Sequence, residues 1–113
     1  LKIINDFGGD MGQTYGVPVT EIQEGIKNGV RKVNIDTDLR MASTGAVRRH
    51  LVENSSNFDP RKFLKEATNA MSDICADRFE AFGSAGNADK ISVSSLDTMS
   101  QRYASGELDA NVK

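Results

Sequence analysis

The sequence predicts an α/β protein in which a single strand lies among several helices. Apolar residues recur at helical spacing along most of the chain, whereas the segment "VRKVNID" at 30–36 alternates apolar and polar residues with the two-residue period of a strand. Glycines and prolines stand at several of the expected helix boundaries. The order helix, strand, helix is one unit of the repeating α/β pattern.

The first two helices are short. The first ends at Gly8 and Gly9 after a cluster of apolar side chains, which comprises Leu1, Ile3, Ile4 and Phe7. The second starts at Pro18, which suits a first helical position, and ends at Gly29, with Ile22 and Ile26 on its buried face. The predicted strand follows, with Val33 and Ile35 on one face.

The remaining helices are longer or follow clear capping residues. One runs from Thr37 through Asn54, and its apolar stripe comprises Leu39, Ala42, Ala46, Val47 and Leu51. The next opens at Asp59 and Pro60, and its stripe comprises Leu64, Ala67, Met71, Ile74, Cys75 and Phe79. The last begins near Ser94 or Ser95, and its stripe comprises Leu96, Met99 and Tyr103.

A lone strand needs neighbours for its backbone hydrogen bonds. The 113 residues offer no second convincing strand, and the chain opens on what resembles the last turns of a helix. We therefore expect residues 1–113 to be the C-terminal part of a larger α/β protein.

Composition excludes several function classes. The net charge of -2 and the scattered Lys and Arg residues give no basic surface for nucleic acid or for an acidic membrane. Neither a membrane-length apolar stretch nor a signal peptide is present in the sequence, so we expect a cytoplasmic protein. One cysteine cannot form an internal disulfide, and one histidine cannot supply the usual ligands of a zinc site.

Polar residues crowd the end of the predicted strand. In α/β folds, ligands gather at the carboxyl ends of strands, and "NIDTD" at 34–38 occupies that position. The first amides of the following helix suit a phosphate, Thr37 adds a hydroxyl donor and Asn34 an amide donor, whereas Asp36 suits a hydroxyl group better. Ordinary helix capping is the more common reason for such a pattern, so local chemistry proposes a site without establishing one.

Longer stretches carry a family resemblance. The segments "TYGVPVTEIQEGIKNGVRKVNIDTDLRMASTGAVRRHL", "FDPRKFLKEA", "FEAFGSAGNADKI" and "RYASGEL" resemble the C-terminal part of a class II fructose-bisphosphate aldolase, of the longer subgroup that includes Calvin-cycle enzymes. The resemblance implies a (β/α)8 TIM barrel. Residues 1–55 would then be its last units, with the eighth strand near 31–36, and residues 56–113 would be C-terminal helices.

The family activity is that of a lyase of glycolysis, gluconeogenesis and the Calvin cycle. It is the reversible aldol cleavage of fructose 1,6-bisphosphate to dihydroxyacetone phosphate and glyceraldehyde 3-phosphate, with a divalent metal, usually zinc, as Lewis acid. A monovalent cation is a further cofactor that the resemblance allows. The family's metal-binding histidines and proton-transferring aspartate lie upstream of this chain. We therefore expect no catalytic residue and no metal ligand within the 113 residues, and no activity from them alone.

The resemblance also assigns substrate-binding residues. Asn34, Ile35, Asp36 and Thr37 match the dihydroxyacetone phosphate loop, in which Asn34 contacts oxygens near the reacting carbons and Ile35 contributes mainly backbone. Arg61 matches an arginine that reaches a neighbouring subunit's site and binds the other phosphate of the sugar bisphosphate. A homo-oligomer is therefore expected.

Two other functions stay open. A tagatose-bisphosphate aldolase shares the fold, the metal and the phosphate loop, and differs in substrate stereochemistry. A noncatalytic phosphate-binding or interaction module would keep the loop without the metal site. His50 is expected to be a surface or helix-packing residue rather than a ligand, and Cys75 a packed thiol rather than a nucleophile.

Overall fold

The computed structural model describes residues 1–14 and 16–109. This part of the chain is mostly helical. Its helices are α1 (Lys2–Asp6), α2 (Val19–Lys27), α3 (Thr37–Glu53), α4 (Pro60–Ala81) and α5 (Leu96–Ala104), with a short 3-10 helix at Ala88–Lys90.

Most helix boundaries follow the capping residues that the sequence offers. The Asp59 side chain accepts a hydrogen bond from the backbone amide of Arg61 at 3.0 Å, and Pro60 takes the first position of α4. Ser95 accepts from the amide of Thr98 at 3.1 Å and starts α5. Pro18 differs by one position from the prediction, because it precedes α2 as its capping residue.

Helices α3 and α4 form the main packed unit, an antiparallel pair joined by the connection 54–59. Ala46 of α3 and Ala67 of α4 are each 2% exposed. Such small buried side chains let two helices approach closely. The predicted apolar stripes therefore lie on the facing sides of α3 and α4, although Leu51, Leu64 and Phe79 remain exposed.

Helix α1 packs against α3 at a glycine. Ile4 is 3% exposed, and Gly45 of α3 is buried directly beneath Ile3. A methyl group built on Gly45 would collide with Cγ2 of Ile3. The absence of a side chain at Gly45 is therefore what allows α1 to lie this close to α3.

We expect Gly45→Ala to destabilise the full-length protein. The new methyl forces Ile3 away at a cost of roughly 1–3 kcal/mol, against about 1 kcal/mol gained in helix propensity. A lower urea midpoint is the expected readout. Gly12→Ala is the control, because no described atom lies within 4 Å of the position that its methyl would take. Equal midpoints for the two variants would show that α1 does not pack on Gly45.

The strand expected near 31–36 is not formed in the described part of the chain, where this segment has no regular secondary structure. A strand exists only when its amides and carbonyls pair with a neighbour, and the residues described here contain no second strand. The alternation itself is kept, since Val33 and Ile35 are half-buried while Lys32, Asn34 and Asp36 are exposed.

The molecule is extended, with principal dimensions of 61 × 31 × 24 Å and a radius of gyration of 19.7 Å. A compact domain of this length would have a radius of about 13 Å. Its surface of 8941 Å² likewise exceeds the roughly 6,100 Å² of a compact monomer of this mass. Large apolar side chains such as Phe58, Val93 and Leu96 stand in solvent. None of the described helices is both long and apolar enough to cross a membrane.

Candidate functional site

The segment between α2 and α3 separates an apolar cavity from a polar recess. On one side, Val33 and Ile35 line a cavity of about 460 Å³ together with side chains of α2, α3 and α4. On the other side, Asn34 and Asp36 face a smaller recess of about 200 Å³. The apolar anchors thus hold the segment in place, and Asn34 and Asp36 face the recess.

The start of α3 is the centre of the polar side. Among the described residues, no side chain caps this helix, whereas α4 and α5 are capped by Asp59 and Ser95. Asp36 occupies the capping position, yet its carboxylate bonds to Arg40 one turn along, with Nε of Arg40 donating to Oδ1 at 3.0 Å. This hydrogen bond, together with charge attraction, raises the pKa of Arg40. Capping, the ordinary explanation for the "NIDTD" pattern, is therefore not what Asp36 does.

The amides of the first turn of α3 consequently keep their capacity to bind an acceptor. They also lie at the positive end of the helix dipole, which favours an anion. Asn34 and Thr37 stand beside them in the recess and add an amide and a hydroxyl donor. The arrangement can bind and orient an oxyanion.

A loop ahead of α2 completes the recess. Its lining residues are Gly16, Val17, Ile22, Asn34, Ile35, Asp36, Thr37 and Asp38. A methyl built on Gly16 would lie 3.7 Å from Oδ1 of Asp38 and 3.8 Å from Cβ of Thr37. The absent side chain at Gly16 therefore leaves open the space in front of the start of α3.

Asp38 in the first turn of α3 is held from α4. Nε and Nη2 of Arg78 donate to Oδ2 of Asp38 at 3.1 and 2.6 Å. The side chains of Arg78 and Asp38 are only 20% and 27% exposed. This ion pair ties the end of α4 to the start of α3, directly beside the recess.

Arg61 lies at the opposite end of α4. It is separated from Arg78 by about 25 Å, given a helical rise of about 1.5 Å per residue. Its side chain is 88% exposed and bonds only to Asp59 among the described residues, with Nη2 donating to Oδ2 at 2.7 Å. Within one chain, Arg61 and the loop 34–37 are therefore too far apart to hold the same phosphate.

The contact between Arg61 and Asp59 changes the acidity of both groups. Hydrogen bonds from the side chain and then the backbone of Arg61 lower the pKa of Asp59, and the side-chain bond raises the pKa of Arg61. Because the pKa of the carboxyl group is lowered in the folded state, the pair stabilises the start of α4 above the ordinary carboxyl pKa. This contribution is lost as the pH falls through the lowered value.

His50 and Cys75 have structural surroundings. Nε2 of His50 lies 2.7 Å from Nδ2 of Asn57, and Oδ1 of Asn57 accepts from the amide of Asp59. Cys75 is a half-buried free thiol that lines the apolar cavity. Across residues 1–14 and 16–109, no three His, Cys, Asp or Glu side chains come together in a way that could hold a metal ion.

The sequence reasoning missed Gly16, which lines the recess, and Arg78, which bonds to Asp38 from the side of the apolar cavity. No local spacing links Arg78 to Asp38, since the two residues are 40 positions apart and meet only because α3 and α4 are antiparallel. Gly16 belongs to the "YGVP" stretch that carried the resemblance, so only its contact with the start of α3 is new.

Comparison with known proteins decides the family. The sequence profile described as "Fructose-bisphosphate aldolase class-II" matches residues 12–87. The chain belongs to this family. The match covers the recess, α3 and α4, and it confirms the resemblance seen in the sequence.

Several relatives in this family are similar over nearly the whole chain. A fructose-bisphosphate aldolase of Stutzerimonas stutzeri is 66% identical over 99% of this chain, and one of Pseudomonas aeruginosa is 65% identical over the same share. The chain spans 32% of the length of each of these two proteins. A "Fructose-bisphosphate aldolase 2" of Rhodobacter capsulatus is 63% identical over 94% of this chain, which covers 93% of that protein.

Proposed function

We propose that these residues form the C-terminal part of an enzyme that cleaves fructose 1,6-bisphosphate to dihydroxyacetone phosphate and glyceraldehyde 3-phosphate. The observation that carries the proposal is the uncapped start of α3, with Asn34 and Thr37 beside it, in a chain of the class II fructose-bisphosphate aldolase family. The relatives are named for fructose bisphosphate, which is a doubly phosphorylated substrate with two anionic ends.

The residues of the recess bind and orient the phosphate-bearing ketose half. The amides at the start of α3 and the hydroxyl of Thr37 donate to phosphate oxygens. The side-chain amide of Asn34 donates to an oxygen near the reacting carbons, and Ile35 contributes backbone while its side chain anchors the loop in the apolar cavity. Asp36 is an acceptor for a substrate hydroxyl group.

In our proposal, the metal ligands of the enzyme lie outside this chain. His50 is engaged with Asn57, and the described residues lack a cluster of three ligating side chains. In our proposal, histidines outside these 113 residues hold a divalent metal, zinc, which supplies Lewis-acid chemistry when bound. The role of this chain is then limited to binding and orienting the substrate.

The extended shape supports the expectation that these residues belong to a larger barrel. Val33 and Ile35 keep the alternation of a strand without a partner, and the apolar cavity beside them is open. In our proposal, residues 31–36 become the eighth strand when the first and seventh strands lie beside them, and residues 56–113 form the C-terminal helices. A cytoplasmic location and a place in central sugar-phosphate metabolism belong to the same proposal.

The full-length protein tests this proposal. We expect it to cleave fructose 1,6-bisphosphate, to lose this activity on treatment with a chelator, and to regain it when zinc is restored. Treatment with magnesium in place of zinc is the control for nonspecific ionic effects. Zinc-replete, folded protein that never cleaves fructose 1,6-bisphosphate would contradict the proposal.

Tagatose 1,6-bisphosphate is the alternative substrate. In our proposal, the recess binds the half of the molecule that the two ketose bisphosphates share, so these residues would not discriminate between them. Comparison of kcat/KM for the two substrates assigns the preference, and faster cleavage of the tagatose compound would replace the fructose assignment. A noncatalytic phosphate-binding module is the outcome if neither compound is cleaved while phosphate still binds.

A further inference from the structure

We infer that Arg78 is a positioning residue for the phosphate recess, because it neutralises Asp38 and fixes the start of α3. This inference rests on the proposed function, since it concerns the same recess. Negatively charged side chains lie close to the place where the phosphate would bind. Two carboxylates stand at the start of a helix whose amides are offered to an anion, Asp36 at the capping position and Asp38 in the first turn.

Each of these carboxylates has an arginine partner. Arg40 bonds to Asp36 from the same helix, and both side chains are well exposed, so solvent screens this pair strongly. Arg78 reaches Asp38 from a different helix, and both side chains are largely shielded. Among the ion pairs of the described residues, this is the only one that joins two helices.

Arg78 contributes more than Arg40 to neutralising carboxylate charge beside the recess, because its ion pair is shielded from solvent. A carboxylate that is removed from water and left without a partner repels a nearby phosphate more strongly than an exposed one does. Two nitrogens of Arg78 bond to Oδ2 of Asp38, which also fixes the direction of this carboxylate. With Arg78 in place, the net charge of the pair is zero. The dipole and amides of α3 then dominate the electrostatic potential in the recess.

The test uses the full-length protein and distinguishes a charge-neutralising role of Arg78 from a purely structural one. Arg78→Gln is expected to raise KM for fructose 1,6-bisphosphate by about tenfold, because Asp38 then faces the phosphate unpaired, while kcat changes much less. The Arg78→Gln and Asp38→Asn double variant is expected to recover most of the lost affinity, although it lacks the ion pair altogether. A purely structural role predicts that the double variant is no better than the single one, and that result would overturn the inference.

Two further variants complete the design. Arg78→Lys keeps the charge without the two-nitrogen contact, so a smaller rise in KM than for Arg78→Gln is expected, and an equal rise would count against neutralisation. Arg102→Gln is the matched control, because Arg102 forms an ion pair with Glu107 after α5, outside the recess. Its KM is expected to equal that of the wild type.

Calorimetric titration with inorganic phosphate makes the inference independent of aldol cleavage. If the wild type binds phosphate but cleaves no bisphosphate, the proposed function fails, and the order of phosphate affinities among the same variants still decides the role of Arg78. We expect the wild type to bind phosphate most tightly, the double variant less tightly and Arg78→Gln most weakly. Equal phosphate affinity in all variants, or no phosphate binding at all, would overturn the inference.

Discussion

Asn34→Ala is expected to lower kcat for fructose 1,6-bisphosphate cleavage by the full-length protein by about 100-fold or more, the usual effect of removing one preorganised donor near a reacting oxygen. Asn34 is exposed in the polar recess, and it is anchored on both sides by half-buried Val33 and Ile35. Removal of its amide therefore changes the recess without removing any of the apolar anchors.

Asn69→Ala is the matched control for this variant. Asn69 is an exposed asparagine on α4, and its truncation removes the same side chain from a helix surface outside the recess. Its kcat is expected to equal that of the wild type. If Asn34→Ala kept wild-type kcat and KM, Asn34 would have to be removed from the substrate-binding residues, and the recess would then act through backbone amides and Thr37 alone.

Local patterns were sufficient to predict the α-helices of the described residues, although not the short 3-10 helix at Ala88–Lys90. Asp59 with Pro60, and Ser95, carry their own hydrogen-bonding chemistry, so α4 and α5 begin where the sequence indicates. The strand at 31–36 illustrates the limit of such patterns. Its alternation is a property of the sequence, but its hydrogen bonds depend on neighbouring strands, which the described residues do not contain.

The candidate site also combines features that the sequence predicts with features that depend on packing. Residues 34–37 are contiguous, so the sequence alone could place their donors together at a helix start. Whether Asp36 caps α3 could not be predicted, since the choice between capping and pairing with Arg40 depends on side-chain conformation. The contact between Arg78 and Asp38 depends on the packing of α3 against α4, which no spacing in the sequence specifies.

Arg61→Ala is expected to lower kcat/KM for fructose 1,6-bisphosphate by roughly 50-fold, because it removes a charge-assisted contact with the second phosphate. Arg61 is 88% exposed, and the protein remains folded because Asp59 still caps α4 through the backbone. Lys65→Ala, which removes an exposed cation one turn along α4, is the control and is expected to keep wild-type kinetics. Wild-type kinetics for Arg61→Ala would exclude this residue from the site.

The distance of about 25 Å between Arg61 and Arg78 along α4 allows an experiment that decides which subunit's recess Arg61 serves. If Arg61 serves the recess of a neighbouring subunit, a mixed dimer of Asn34→Ala and Arg61→Ala chains contains one site with both defects and one site with none. Random assembly of equal amounts should then restore about a quarter of wild-type activity. If each chain builds its own site, every site keeps one defect, and mixing restores nothing.

A second mixture controls for nonspecific recovery. Asn34→Ala and Thr37→Ala both alter the same recess, so every site of their mixed dimer retains one defective loop and no activity should return. Recovery in the first mixture and not in the second would assign Arg61 to the neighbouring site. The site would then require two chains because α4 holds Arg61 about 25 Å from the end that pairs with Asp38.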